Sequence, residues 1–153
     1  MSSPVAERDQ TLEPAIGTPK AVPWRRPLAV KLAFWGYALA LFTATHWPRL
    51  EVPGPEGSDK VLHLGAFGTW MLCATAYAWF ARPLSTRNLL LTYALALVYA
   101  AIDEGLQEFE FIHRTASLND YAANAAGITL ALIALFIARP VLLRLKPLQG
   151  FLA

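Results

Sequence analysis

Four apolar runs alternate with short polar segments along most of the chain. The runs cover about residues 27–45, 59–80, 88–107 and 119–138, and each approaches the roughly 20 residues that a helix needs to cross the hydrocarbon core of a bilayer. The segments between them carry prolines, glycines and charges, which interrupt helices. The pattern predicts an all-α fold, a four-helix transmembrane bundle with short connectors, in which consecutive helices are antiparallel neighbours.

The ends of the runs divide the chain into three parts. Residues 1–26 are polar and proline-rich, which predicts a disordered tail, and residues 147–153 form a C-terminal tail after the membrane domain at 27–146. Ser58 has the position of an N-cap before the second span, and Arg139 with Pro140 is expected to end the fourth. A signal peptide is the alternative for the first run, but its leading polar region would be unusually long.

Composition supports lipid as the solvent of this fold. Of the 153 residues, 56% are hydrophobic and 16% are charged, with a mean hydropathy of +0.38, whereas about 25% of the residues in a soluble domain are charged. The net charge of +2 and the lack of a basic stripe with interleaved aromatics argue against nucleic acid as a partner. Cys73 is the single cysteine, which excludes an internal disulfide and a thiolate metal cluster. No cofactor or metal is predicted.

The distribution of lysine and arginine predicts the orientation of the spans, because cytoplasmic segments are enriched in both. The first and third loops with their helix edges hold Arg49, Lys60 and Arg114. The two tails and the second loop hold many more, namely Arg8, Lys20, Arg25, Arg26, Arg82, Arg87, Arg139, Arg144 and Lys146. With four spans, both termini are therefore expected in the cytoplasm.

This topology brings the polar residues at the span ends to one side of the membrane, the outer one. Asp59 and His63 are four residues apart and share a helix face. On the fourth span Asp120, Asn124, Gly127 and Ala131 form one stripe, whose small residues allow a neighbouring helix to approach closely. Ionisable side chains at such positions indicate a functional site. The candidate ligand-binding residues are Asp59, Lys60, His63, Glu104, Gln107, Arg114, Asp120 and Asn124.

Each candidate also has a structural interpretation. Asp120 completes a capping box with Ser117, and Asp59 suits the first turn of a helix. Lys60 is typical of an interfacial anchor, and His63 and Asn124 are typical of hydrogen bonds between helices. Glu104 with Arg114 would form a structural ion pair. By contrast, Asp103, Glu108 and Glu110 are expected on a solvated rim.

The ordered set Asp59-Lys60-x-x-His63, Glu104-x-x-Gln107, Arg114 and Asp120-x-x-x-Asn124-x-x-Gly127 resembles the VanZ-like family of small bacterial membrane proteins, over about residues 59–137. The resemblance implies a multi-pass protein of the bacterial inner membrane with a teicoplanin-resistance-type or other cell-envelope role. The family's polar positions correspond to the eight candidate residues. The segment from Glu108 to His113 departs from the family pattern, which often has a proline there.

Three functions remain open on the sequence. In the first, the outer polar site binds a lipid-linked precursor or a glycopeptide: Arg114, Lys60 and His63 face a phosphate or carboxylate, while the acidic residues position them or bond to sugar and amide groups. In the second, the protein is an enzyme with His63 as general base, oriented by Asp59, and Glu104 as general acid. In the third, the bundle is a structural partner of another membrane protein, or a homo-oligomer. No nucleophile or metal motif is complete, so the first is favoured. Membrane lipids are expected contacts in every case.

Overall fold

The computed structural model describes residues 26–47, 55, 57–109 and 116–145. Within these residues the chain forms four α-helices and no strand, which confirms the predicted all-α bundle. The helices are α1 (Leu28–His46), α2 (Ser58–Tyr77), α3 (Thr86–Leu106) and α4 (Leu118–Leu142). Residues 1–25, most of the α1–α2 loop and residues 110–115 lie outside the described part, so the predicted disorder of the tail stays a prediction.

Three of the helices present apolar surface outwards. By length and composition α1, α3 and α4 are each able to cross a membrane. Large apolar side chains on these helices are mostly exposed, for example Leu28 (69%), Leu118 (87%) and Ile137 (72%). A soluble monomer rarely exposes so much contiguous apolar surface. The chain is therefore a membrane protein.

The second helix differs because the other three cover much of it. It has 20 residues, like the others in length, but it is not among the helices whose composition alone fits a span. α2 packs against α1, α3 and above all α4. The Tyr37 hydroxyl of α1 donates to the Ala66 carbonyl of α2 over 2.9 Å, and the Trp70 ring of α2 stacks on Tyr99 of α3 with centroids 4.9 Å apart. Val61 (70%) and Leu62 (55%) of α2 nevertheless remain exposed, so the other helices cover only its inner face.

The closest approach in the bundle is between α2 and α4, at their glycines. A Cβ atom at Gly127 would overlap the carbonyl group of Leu64, and one at Gly68 would lie 3.1 Å from the Gly127 carbonyl oxygen. The predicted stripe of small residues on α4 is thus the contact face, and Asn124, Gly127 and Ala131 are all buried. Helices that lack large side chains at a crossing come close enough for backbone contact.

Two predicted helix ends are wrong. Ser58 is the first residue of α2 and Gly57, with φ +89°, is its N-cap; the Ser58 hydroxyl donates backwards to the Pro55 carbonyl over 2.8 Å. Glycine takes this left-handed backbone conformation without steric cost. The fourth helix continues through Arg139 and Pro140 to Leu142. A proline in a last turn removes one hydrogen bond, and the remaining turn tolerates that loss.

The end of the bundle that contains the α2–α3 connector is closed by hydrogen bonds. The Asn88 side chain donates to the carbonyls of Thr75 (3.0 Å) and Pro83 (2.9 Å) and accepts from the Phe80 N–H (3.3 Å). Arg26 donates from Nε to the Tyr77 carbonyl (2.8 Å) and from Nη2 to the Ala78 carbonyl (3.0 Å), two groups at the end of α2. These bonds supply partners to carbonyls that a helix end leaves unpaired. We call this the closed end.

Substituting Gly127 tests the helix crossing. Gly127→Ala is expected to destabilise the bundle by about 1–3 kcal/mol, because the added methyl group meets the α2 backbone and the helices must separate. Gly65→Ala is the matched control, since a Cβ there has no neighbour within 4 Å, and alanine favours a helix over glycine by about 1 kcal/mol. Thermal unfolding in detergent measures both variants, and equal midpoints would contradict the proposed crossing.

Candidate functional site

Polar side chains are buried together at the end opposite the closed end, where α1 and α3 finish and α2 and α4 begin. We call these residues the buried polar layer. Its members are Thr45, His46, His63, Asp103, Glu104, Gln107 and Asn124. They come from all four helices, and the antiparallel order of the helices is what brings them to one level. Polar groups at this depth in a membrane protein need partners, because lipid offers none.

The first part of the layer joins α1 to α3. Asp103 is 1% exposed, and its Oδ1 accepts from the Thr45 hydroxyl over 2.9 Å, with the His46 Nδ1 at 3.7 Å. The prediction that Asp103 lies on a solvated rim is wrong, because its helix face turns inwards towards α1. Glu108 is exposed as predicted, and Glu110 lies outside the described residues.

Sequence reasoning missed Thr45 and His46. Both lie in the last turn of α1, which the topology places on the same side as the start of α2 and the end of α3. The predicted topology could have identified them, because it places the end of the first span on the same side of the membrane as the candidate residues. The His46 ring also stacks on Phe42, with centroids 4.1 Å apart, which holds it against the bundle.

The second part of the layer joins α2 to α4. The His63 Nδ1 lies 3.0 Å from the Asn124 Oδ1 in a buried contact. Since a carbonyl oxygen only accepts, the His63 Nδ1 carries the hydrogen in this bond. The carboxylate of Asp59 pairs instead with Lys60 over 3.5 Å at the surface. His63 is therefore oriented by Asn124, and the proposed Asp59–His63 pair is not formed.

The third part joins α3 to α4. The Ser117 N–H donates to the Glu104 Oε1 over 2.7 Å, while the Ser117 hydroxyl accepts from the Asp120 N–H over 3.3 Å. Ser117 is thus the N-cap of α4, as the sequence predicted. In a capping box the N–H of the cap bonds to an acidic side chain of its own helix. Here a carboxylate of the neighbouring helix takes that position, so Glu104 fixes where α4 begins.

The remaining candidates are distributed between the layer and its surroundings. Gln107 is buried and Asp120 is half-buried. Asp120, His63 and Asp103 all lie within electrostatic range of Glu104. Asp59 and Lys60 are about half exposed. Arg114 lies outside the described residues, so its predicted pairing with Glu104 stays a prediction.

Several buried atoms of the layer have no hydrogen-bond partner among the described residues. They are His46 Nε2, Asp103 Oδ2, Glu104 Oε2, Gln107 Nε2 and Asn124 Nδ2. The side chains of Gln107 and Tyr99 still lie close enough to Asp103 to interact with it. An unsatisfied buried polar atom costs about 1–3 kcal/mol, so proteins normally satisfy such atoms with bound water or a ligand. Five such atoms lie in this layer, whereas at the closed end both hydrogens and the oxygen of the Asn88 amide are bonded and the buried Thr75 hydroxyl lacks a partner among the described residues.

A cavity of about 510 Å³ adjoins the layer between the end of α3 and the start of α4. Its wall consists of Ala101, Glu104, Gly105, Glu108, Ala116, Ser117, Leu118 and Tyr121. Glu104 is the member of the buried polar layer that reaches this wall. The volume falls within the range of about 300–1,000 Å³ that is typical of small-molecule sites.

The donor set of the layer is that of a hydrogen-bonding site. Among the described residues, no group of three or more histidine, cysteine or carboxylate side chains is arranged to hold a metal ion. What the arrangement offers is one carboxylate oxygen at a cavity wall, with two histidines and two amides behind it. Such a set offers hydrogen-bond donors and acceptors to a polar group.

No family model, curated protein or solved structure matches this chain. The resemblance to the VanZ-like family, based on the residues given above, accordingly stays a prediction.

The bond between Thr45 and Asp103 provides a test of the layer. Thr45→Val keeps the shape of the side chain but removes the donor to a buried carboxylate, so we expect a loss of about 1–3 kcal/mol in stability. Thr43→Val is the matched control on the same helix, because the Thr43 hydroxyl is exposed and bonds to the Leu39 carbonyl of its own helix. Thermal unfolding in detergent compares them; the same midpoint for both would show that the Asp103 contact does not hold α1 to α3.

Proposed function

We propose that this protein is a VanZ-like integral membrane protein that binds a component of the bacterial cell envelope at the end of the bundle that carries the buried polar layer. The charge distribution supports an inner-membrane orientation with both termini in the cytoplasm, which directs this end outwards. The candidate ligands are a lipid-linked envelope precursor and a glycopeptide. Both present hydroxyl, amide and charged groups near the membrane surface, where the cavity lies.

The proposal rests on the burial and the incomplete hydrogen bonding of the Glu104 carboxylate. The residue is only 5% exposed, and one of its oxygens is bonded to the Ser117 N–H. The other oxygen has no partner among the described residues and belongs to a side chain in the cavity wall. A buried carboxylate is costly unless it is paired. A role for stability alone would favour a glutamate with both oxygens bonded, so the second oxygen favours a ligand.

Binding is favoured over catalysis by the environment of His63. The enzyme hypothesis needs a histidine that Asp59 orients towards a substrate. In the bundle, the Nδ1 of His63 bonds to Asn124, and the carboxylate of Asp59 bonds to Lys60. The ring is thus oriented by an amide of α4 and not by the carboxylate that the enzyme hypothesis requires. His63 therefore acts as a positioning residue for the α2–α4 pair.

Removing the Glu104 carboxylate tests this function. Purified protein in detergent is titrated with a polyprenyl-linked envelope precursor, and retention is measured by native mass spectrometry. We expect Glu104→Ala to weaken binding about tenfold or more, because a hydrogen bond to a charged group contributes about 1.5–3 kcal/mol. Glu13→Ala is the control, since the charge count predicts its tail on the opposite side of the membrane. The yield of each variant in the membrane fraction controls for insertion.

The same variants are compared in cells. A susceptible bacterial host that expresses the wild-type protein is expected to change its sensitivity to teicoplanin or to another envelope stress, and Glu104→Ala and Arg114→Ala are expected to abolish the change. If both variants bind and behave like the wild type while they insert normally, the outer polar site has no such role and the proposal is wrong.

A further inference from the structure

The cavity beside Glu104 has a chemistry that narrows the class of its ligand. It lies between the last turns of α3 and the first turn of α4, with Glu104 on α3 and Glu108 in the turn that follows α3. Ala101 and Gly105 of α3, four residues apart, form the adjoining small-residue face, and Tyr121 contributes an aromatic wall from α4. The volume of about 510 Å³ accommodates a lipid headgroup rather than a whole lipid.

The electrostatics of the cavity favour a cation. Two glutamates belong to the wall, and Asp103, Asp120 and His63 lie within electrostatic range of Glu104. No lysine or arginine of the described residues belongs to the wall, and the Lys60 ammonium is directed to Asp59 at 3.5 Å. In a site that lipid partly shields from water, several carboxylates close together attract positive charge more strongly than they would in solution.

The unpaired oxygen of Glu104 favours a ligand that donates a hydrogen bond. The Oε2 of Glu104 is buried and unpartnered among the described residues, while Oε1 is already used by the Ser117 N–H. A carboxylate oxygen only accepts, so its partner must carry N–H or O–H groups. A primary ammonium has three such hydrogens together with the positive charge, and an aromatic wall such as Tyr121 also attracts cations.

The surroundings of the cavity favour a lipid as the source of this group. Leu118, in the wall, is 87% exposed, and Ile102, next to Ala101, is 54% exposed. The cavity therefore adjoins the apolar outer surface of α3 and α4, which faces lipid. A soluble amine buries no apolar area against this surface. The acyl chains of a phospholipid, by contrast, stay in contact with it when the headgroup enters the cavity.

We propose that the cavity lined by Glu104, Glu108 and Tyr121 is a binding site for the primary ammonium headgroup of a membrane phospholipid. The assignment rests on the proposed function in that it takes this end of the bundle as the ligand-binding end, and it names the chemical group bound. Glu104 Oε2 accepts from the ammonium, and Glu108, at the more exposed rim, adds charge. Because Glu104 also caps α4, the bound headgroup and the start of α4 share one carboxylate.

One occupant within the chain competes with this assignment. Arg114 belongs to the loop between Phe109 and Ala116, and a guanidinium also supplies charge and donors to a carboxylate. If Arg114 fills the cavity, a lipid headgroup has no access to Glu104. The two cases differ in the lipid preference of the wild-type protein and of Arg114→Ala.

The test measures lipid preference by native mass spectrometry of the full chain in detergent. Phosphatidylethanolamine, phosphatidylcholine and phosphatidylglycerol are titrated separately with the same acyl chains, and free ethanolamine is titrated alone. The wild type is expected to bind phosphatidylethanolamine about tenfold more tightly than phosphatidylcholine, whose quaternary nitrogen has no hydrogen to donate. Glu104→Gln is expected to abolish the preference, Glu108→Gln to reduce it, and Glu13→Gln to leave it intact.

Other outcomes overturn the assignment. No preference in the wild type, or a preference that Glu104→Gln retains, removes the ammonium site. No preference in the wild type but a clear one in Arg114→Ala identifies Arg114 as the occupant. Free ethanolamine that binds as tightly as the lipid shows that the ligand is a soluble amine. A wild-type protein that shows no lipid preference but binds the polyprenyl-linked precursor would refute this site alone. A wild-type protein that prefers phosphatidylethanolamine but does not bind the precursor would refute only the precursor role proposed above.

Discussion

The structure depends on the close crossing of α2 and α4 at Gly127. At this point the α4 backbone lies against the carbonyl group of Leu64, which is the residue after His63. Asn124 is one turn before Gly127 on the inward face of α4. The crossing therefore sets the distance between His63 and Asn124, and with it the 3.0 Å bond that joins the two helices in the buried polar layer. A larger residue at the crossing would separate both pairs at once.

Glu104 connects this core to the proposed function, because its two carboxylate oxygens are in different situations. Oε1 holds the first turn of α4 through the Ser117 N–H, and Oε2 is buried without a partner among the described residues. In the proposed function, one side chain therefore serves both the stability of the bundle and the binding of a ligand.

The sequence was sufficient for the helices and for the level at which the polar residues meet. Periodicity and proline placement locate the four helices, and the small-residue stripe on α4 locates the contact with α2. It was insufficient where a tertiary contact outweighs a local signal. Asp103 has the sequence position of a rim residue, yet Thr45 of a distant helix gives it a buried partner. Pro140 looks like a terminator, but a last turn tolerates the missing bond. The partner of His63 was also a matter of tertiary geometry, since the spacing within α2 favoured Asp59, whereas Asn124 reaches His63 from α4.

The two ends of the bundle differ in how far the chain itself satisfies their buried polar groups. At the closed end, Asn88 and Arg26 bind the backbone carbonyls around the α2–α3 connector, although the buried Thr75 hydroxyl has no partner among the described residues. At the opposite end, five buried polar atoms remain without partners among the described residues. The end that carries the buried polar layer is therefore the end at which bound water or a ligand gains the most hydrogen bonds from the protein.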